Sequence, residues 1–189
     1  MATTGPSFVA SWALAMGAMM LPSELPLLRL DYATARSHTR TAALLVGYFA
    51  VWIALAAPVW IGNRAAGGRL LGMHGREVTA GILAAAALYQ LTPLKRRCLA
   101  ICRAPLARIL HGWRDGHGGA FRMGVVNGLW CVGCCVGLTV SLLALGMMSI
   151  GWMAVVAAAI LIEKTTRIGL VASRATAVFL ALGAVMWLL

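Results

Sequence analysis

The sequence has 189 residues, of which 61% are hydrophobic and 11% charged, and its mean hydropathy is +0.87. A soluble domain has about 25% charged residues, so this composition excludes a typical soluble enzyme. Sixteen basic and five acidic residues give a net charge of +11. In a soluble protein such an excess would indicate nucleic acid, but the sequence has no recognisable nucleic-acid-binding module, and we expect no nucleic-acid partner.

Long uninterrupted apolar runs predict helices that cross a membrane. A chain in hydrocarbon satisfies its backbone hydrogen bonds only within helices or closed barrels, and these runs lack the alternation of barrel strands. The sequence therefore predicts an all-α, polytopic bundle in a single membrane domain over residues 1–189. About six membrane helices are expected, at residues 5–21, 41–62, 77–92, 122–146, 151–163 and 171–189.

Residues that stop or start helices give the segment boundaries. The first segment is expected to end at Leu21, because Ser23 is a good N-cap for a new helix and Glu24 suits the positive end of that helix. The third is expected to end at Thr92, because a residue before proline disfavours the α conformation. Residues 147–150 join segments four and five, which predicts an antiparallel hairpin.

The basic residues are distributed unevenly among the predicted loops. Thirteen of the sixteen lie in residues 22–40, 93–122 and 163–174, and the alternate loops contain the other three. Cytoplasmic loops of membrane proteins carry an excess of Lys and Arg. The distribution predicts a multi-pass protein of the inner (plasma) membrane, with the basic loops cytoplasmic and both termini outside.

The segment around residues 93–115 alternates apolar and basic residues at helical spacing. This pattern predicts an amphipathic segment along the inner membrane surface. Its charges are expected to form a solvated, lipid-facing flank, with membrane lipid as the partner.

All five cysteines fall into two groups at helical spacing. Cys131, Cys134 and Cys135 lie at positions i, i+3 and i+4, which share one face of a helix. Cys98 and Cys102 lie at i and i+4. Cysteine is also a common small buried residue, but this grouping favours thiol chemistry, either metal binding or dithiol redox chemistry.

Charge and donor type favour copper(I) as the metal. Four thiolates around a divalent ion leave a net charge of minus two within the membrane, where even a single charge is costly. Cu(I) on two thiolates leaves a smaller net negative charge. Soft thioethers also suit Cu(I), and Met16, Met19 and Met20 share one face of the first segment. Further soft donors lie in the predicted outer loops, at Met73, His74, Met147 and Met148. Zinc or no metal are the alternatives.

The positions of the cysteines predict more than one site. Cys131 lies about nine residues, or roughly 13 Å, into segment four, whereas Cys98 and Cys102 follow segment three. We therefore expect the outer donors, the mid-membrane cysteines and the inner pair to be successive stations for a metal ion. Glu163 is a weaker candidate ligand, expected at the inner interface in an ion pair.

Three sets of motifs resemble a known family. They are Met19-Met20-Leu21-Pro22-Ser23 with Pro26, Tyr89-Gln90-Leu91-Thr92-Pro93-Leu94-Lys95 with Cys98 and Cys102-Arg103-Ala104-Pro105, and Gly133-Cys134-Cys135 with Glu163-Lys164. These motifs, which extend over most of the chain, resemble those of a bacterial family described as predicted metal-binding integral membrane proteins, domain of unknown function 2182. The resemblance implies a multi-pass helical protein with a cysteine-based metal site, sometimes labelled a copper chaperone. Relative to that family, this chain is expected to lack one leading helix at its N-terminus. Asn127 and Val136 stand where that family often has histidine and tryptophan, so we expect no histidine ligand there.

Together these features predict an integral membrane protein that binds copper(I) or another soft metal, with a metallochaperone or a membrane protein as partner. One alternative is a structural or assembly subunit of a membrane complex. Another is a dithiol redox protein with a low-pKa cysteine near Arg96, Arg97 or Arg103. The sequence has no phosphate-binding loop and no catalytic triad pattern, so a binding role is expected ahead of an enzymatic one.

Overall fold

A computed structural model describes residues 5–65, 75–145 and 150–189 of the chain. These residues form eight α-helices and no strand, which confirms the all-α class. The helices are α1 (Gly5–Ala35), α2 (His38–Ala65), α3 (Arg76–Leu91), α4 (Pro93–Cys102), α5 (Pro105–Gly112), α6 (Gly116–Leu145), α7 (Ile150–Thr165) and α8 (Gly169–Leu188). The predicted outer donors Met73, His74, Met147 and Met148 lie outside the described residues.

Four of these helices, α1, α2, α6 and α8, are long and apolar enough to cross a membrane. Helices α3 and α7 have 16 residues each, fewer than the about 20 that span a bilayer. The described residues therefore contain fewer candidate spans than the six segments expected from the sequence. The four long helices are consistent with a membrane location.

Helix α1 continues from Gly5 to Ala35, so the predicted helix end at Leu21 is wrong. Pro22 and Pro26 lie inside the helix, where each removes a backbone donor, and the hydroxyl of Ser23 donates to the carbonyl oxygen of Met20 at 2.8 Å. Apolar helices tolerate proline when neighbouring groups satisfy the freed carbonyls. Buried residues continue past the prolines on one face, at Phe8, Trp12, Met16, Met20, Glu24, Leu27 and Asp31.

The turn between α1 and α2 is held by a buried ion pair. Arg40, 6% exposed, donates to the carboxylate of Asp31, which is fully buried and also accepts from the hydroxyl of Thr41 at 2.8 Å. The Arg40 guanidinium lies 3.7 Å from the ring centroid of Trp113. Residues 22–40 are therefore mostly helix, and Arg40 is a structural partner rather than a solvated loop charge.

The predicted boundary at Pro93 is confirmed. Helix α3 ends at Leu91, and Thr92 has an extended backbone with ψ of 151°. The amphipathic segment around 93–115 forms two short helices, α4 and α5. Arg96 and Arg97 are exposed, but Lys95 is 1% exposed, so the expectation of a solvated flank is wrong for Lys95.

The chain divides into two compact units. The first comprises Met1–Trp60 and Ala100–Val132, and in it α1 packs on α5. Its helices α2 and α6 approach so closely that a β-carbon on Gly124 would overlap the carbonyl oxygen of Leu44. The second unit comprises Ile61–Leu99 and Gly133–Leu189, and in it α3 and α7 both pack on α8.

Candidate metal centre

Three cysteines on α6 bring their thiols together. The Sγ atoms of Cys131, Cys134 and Cys135 all lie within 4.8 Å of one another, and those of Cys134 and Cys135 are 3.3 Å apart. The three side chains are buried and form no disulfide. Positions i, i+3 and i+4 share one face, so the turns of a single helix produce this cluster.

This donor set fits a soft metal ion. A metal–thiolate bond of about 2.3 Å places the sulfurs of a tetrahedral site about 3.8 Å apart. The observed Sγ separations are of this order, at 3.3 Å between Cys134 and Cys135 and no more than 4.8 Å within the group. Thiolates favour Cu(I) and Zn²⁺ over hard cations, as the sequence predicted.

Tyr48 adds a polar group to the cluster. Its hydroxyl lies 3.0 Å from the Sγ of Cys131, and both side chains are buried. When Cys131 is a thiolate, the tyrosine hydroxyl is the only donor of the two, and a hydrogen bond to a charged acceptor is stronger than a neutral one. The contact therefore favours the metal-binding form of Cys131.

A buried ion pair lies beside the backbone of Cys134. The Nζ atom of Lys95 lies 2.7 Å from Oε2 of Glu163 and donates a second hydrogen bond to the carbonyl oxygen of Cys134. The Nε2 atom of Gln90 donates to the other oxygen of Glu163 at 3.2 Å. Glu163 is thus in an ion pair, but its partner is Lys95 and the pair lies in the protein interior rather than at a solvated interface.

Cys98 contacts α6 at the residue that precedes Cys134. A β-carbon placed on Gly133 would be 2.7 Å from the Sγ of Cys98, so the thiol occupies space that only glycine leaves free. The sequence placed Cys98 in a site separate from that of the α6 cysteines, and its thiol nevertheless lies against α6 at Gly133. Burial raises the pKa of the Cys98 thiol, and the charge of Lys95 partly opposes this effect.

Cys102 lies one turn after Cys98 on α4, as the spacing predicted. Its side chain is 8% exposed, and its carbonyl oxygen accepts a hydrogen bond of 2.8 Å from Nη2 of Arg108. The group of mutually close thiols contains the three α6 cysteines and neither α4 cysteine.

The methionine candidates lie on the buried face of α1. Met16 and Met20 are fully buried and Met19 is 4% exposed. Glu24 lies on the same helix, 3% exposed, and accepts a hydrogen bond of 2.6 Å from Nδ2 of Asn127. The predicted capping role of Glu24 is wrong, because α1 has no break at that residue.

Sequence reasoning missed four polar residues around the cysteines. Gln90 and Lys95 lie within one of the family motifs, but sequence reasoning assigned Gln90 no role and Lys95 only that of a charge in the solvated flank. An isolated polar residue beside an apolar segment is costly and marks a functional site by default, so both carried a usable signal. Tyr48 and Tyr89 carried none, because tyrosine is common in membrane helices. Tyr89 donates its hydroxyl to the carbonyl oxygen of Gly133.

The fold and the site define a helical protein with helices of membrane-spanning length and a buried three-cysteine cluster. The profile of the PpoB2 copper chaperone family matches residues 9–187, and the chain belongs to this family. No curated protein and no solved structure matches the chain. The expectation of a metal-related family linked to copper is therefore confirmed.

Proposed function

We propose that the protein binds Cu(I) at Cys131, Cys134 and Cys135 within the bacterial inner membrane and passes it along the chain's other soft donors. One observation carries this proposal: three buried thiols that form no disulfide lie within 4.8 Å of one another in a chain of a copper chaperone family. The resemblance to domain of unknown function 2182 points to the same class of protein.

The number of donors favours Cu(I) over Zn²⁺ in this site. A structural zinc site needs four ligands, one more than the three clustered thiols supply, whereas Cu(I) is held by two thiolates and a neutral third thiol with a net charge of only minus one. The Tyr48 hydroxyl stabilises a thiolate at Cys131. The Lys95 ammonium beside the Cys134 carbonyl also favours negative charge, although Glu163 balances it.

Cys98 is the proposed next station. Its Sγ contacts Gly133, the residue before Cys134, so a small movement of α4 places a fourth thiol beside the cluster. Cys102 lies one turn further along α4, within the basic segment around residues 93–115 that we assign to the cytoplasmic side. Met16, Met19 and Met20 are proposed as weaker soft donors, and Glu163 acts through its ion pair with Lys95. A soluble metallochaperone or a membrane protein would exchange copper with these stations.

A second candidate function rests on the proximity of Cys131 to Cys134 and Cys135, because all three Sγ atoms lie within 4.8 Å of one another. Dithiol redox chemistry would pair Cys131 with one of the other two across a helical turn and without a bound metal, since the Cα atoms of adjacent residues, about 3.8 Å apart, are too close for an unstrained disulfide.

The test is Cu(I) loading of the detergent-purified protein under anaerobic, reducing conditions. We expect stoichiometric copper by elemental analysis and an X-ray absorption spectrum with sulfur scatterers. Cys131→Ser, Cys134→Ser and Cys135→Ser should each lose stoichiometric copper. Ser141→Ala is the matched control, because Ser141 is a buried residue of the same helix whose hydroxyl donates to the carbonyl oxygen of Gly137.

Copper retained by all three cysteine variants would contradict the proposal. Absence of stoichiometric copper, together with a thiol count that changes reversibly with redox potential, would favour the dithiol function instead. Tetrahedral zinc bound in preference to Cu(I) would reject the metal assignment.

A further inference from the structure

A cavity of about 570 Å³ lies within the first unit, and none of the three clustered cysteines lines it. Helices α4, α5 and α6 provide most of its wall, and Leu27 of α1 closes one side. The volume falls within the range of about 300–1,000 Å³ that holds small ligands. Most of the wall is apolar, including Ile101, Met123, Val126 and Trp130.

The polar part of the wall is basic. Arg108, Arg114, Arg122 and His111 line the cavity, and none of the chain's five acidic residues, all within the described ranges, does so. The cavity therefore combines a positively charged rim with an apolar interior. This charge distribution is complementary to an anionic head group that carries a hydrocarbon tail.

Arg108 points to a missing anionic partner. Its Nη2 donates to the carbonyl oxygen of Cys102 at 2.8 Å, which orients the guanidinium. Its Nε and Nη1 atoms are buried and have no hydrogen-bond partner. Buried guanidinium donors without partners are costly, and phosphate oxygens satisfy them in pairs.

Asn127 provides an independent second observation. Its side chain is 2% exposed and lines the cavity, and its Oδ1 atom is buried without a partner while Nδ2 donates to Glu24. An unsatisfied acceptor in the wall is suited to a donor on a ligand, such as a hydroxyl of a polar head group.

The lining of the cavity also extends along α6. Arg122 and Trp130 are eight residues apart on α6, which corresponds to about 12 Å along the helix axis. Arg122 lies near the start of α6, at the end that follows the basic segment, and Trp130 lies towards its middle. A head group at Arg122 would therefore place its acyl chain against the apolar wall.

We propose that this cavity is a binding site for an anionic phospholipid, with the phosphate held by Arg108 and Arg122 and one acyl chain lying along α6. Basic pockets between membrane helices recognise anionic head groups in this way. The site is separate from the copper-binding proposal and does not depend on it.

Native mass spectrometry of the delipidated full chain in mild detergent tests this. The probes are phosphatidylglycerol, phosphatidylcholine with the same acyl chains, and inorganic phosphate. Phosphatidylglycerol should bind about tenfold more tightly than phosphatidylcholine, because both carry the phosphate but the choline cation of phosphatidylcholine cancels its charge and is repelled by the basic side chains. Arg108→Gln should remove this preference, whereas Arg97→Gln, an exposed arginine of α4 outside the cavity, should keep it.

A second variant covers the case in which Arg108→Gln fails to fold. Ala107→Trp should fill the cavity and reduce the binding of both lipids. Equal binding of the two lipids by the unaltered chain would overturn the proposal. Binding of inorganic phosphate as tight as that of phosphatidylglycerol would also overturn the proposal, because it would indicate a site for a free anion. An Ala107→Trp variant that binds phosphatidylglycerol as tightly as the unaltered chain would overturn it as well.

Discussion

The Nζ atom of Lys95 lies 2.7 Å from Oε2 of Glu163, and the two side chains are 1% and 2% exposed. The same ammonium donates to the carbonyl oxygen of Cys134, so the ion pair ties α4 and α7 to the part of α6 that carries two of the clustered thiols. Removing one member leaves the other buried without its counter-charge.

Lys95→Met should therefore destabilise the protein by about 3–5 kcal/mol, because breaking a buried pair leaves an uncompensated charge. The Lys95→Met/Glu163→Gln double variant should recover much of this loss, since neither side chain is then charged. Chemical unfolding in detergent micelles measures both. Equal destabilisation in the single and double variants would show that the pair is not coupled.

Replacing Gly124 by alanine should destabilise the protein by about 1–3 kcal/mol, because the new methyl group would overlap the carbonyl oxygen of Leu44 on the neighbouring helix. Gly81→Ala is the matched control, since a β-carbon at Gly81 meets nothing within 4 Å and alanine favours a helix. Thermal unfolding compares the two. A Gly124→Ala variant as stable as Gly81→Ala would contradict the close approach of α2 and α6.

Tyr48→Phe should weaken Cu(I) binding by about 10- to 100-fold, the range found when a hydrogen bond to a metal ligand is lost. The phenylalanine keeps the ring but removes the hydroxyl 3.0 Å from the Sγ of Cys131. Competition with a chromophoric Cu(I) chelator gives the affinity. Tyr32→Phe, at an exposed tyrosine that hydrogen-bonds His38, should have no effect, and an equal loss there would rule out a specific role for Tyr48.

The Cys98 thiol should react slowly with alkylating reagents at neutral pH, because burial raises the pKa of Cys98 and keeps it protonated. The pH at which the alkylation rate of Cys98 reaches half its maximum should be higher for the folded protein than for the same protein unfolded in denaturant. The folded state holds the thiol proton of Cys98 more tightly than the unfolded state does. The protonated thiol therefore contributes fully to stability below the pKa that Cys98 has in the unfolded state, and this contribution is lost as pH rises through its pKa in the folded state. A variant that keeps only Cys98 isolates the signal, and a midpoint at or below the denatured value would refute the burial effect.

The candidate site shows where sequence reasoning succeeds and where it stops. The proximity of Cys131, Cys134 and Cys135 was predictable, because positions i, i+3 and i+4 of one helix are neighbours in any helical fold. The contact between Cys98 and Gly133 was not, because it depends on the direction that α4 takes after Pro93. The break expected at Leu21 failed because tertiary packing supports a helix across Pro22 and Pro26.

By itself the sequence determined the all-α class, the long apolar helices and the cysteine cluster on α6, since each depends only on composition or on the 3.6-residue period of one helix. Only the tertiary structure decided which charged and polar side chains are buried and which residues they contact. Lys95 forms an ion pair with Glu163, Arg40 forms one with Asp31, and Asn127 donates a hydrogen bond to Glu24. The helices that carry these partners are distant in sequence or separated by a turn. Pairings of this kind follow from how helices pack together, and no local pattern of residues encodes them.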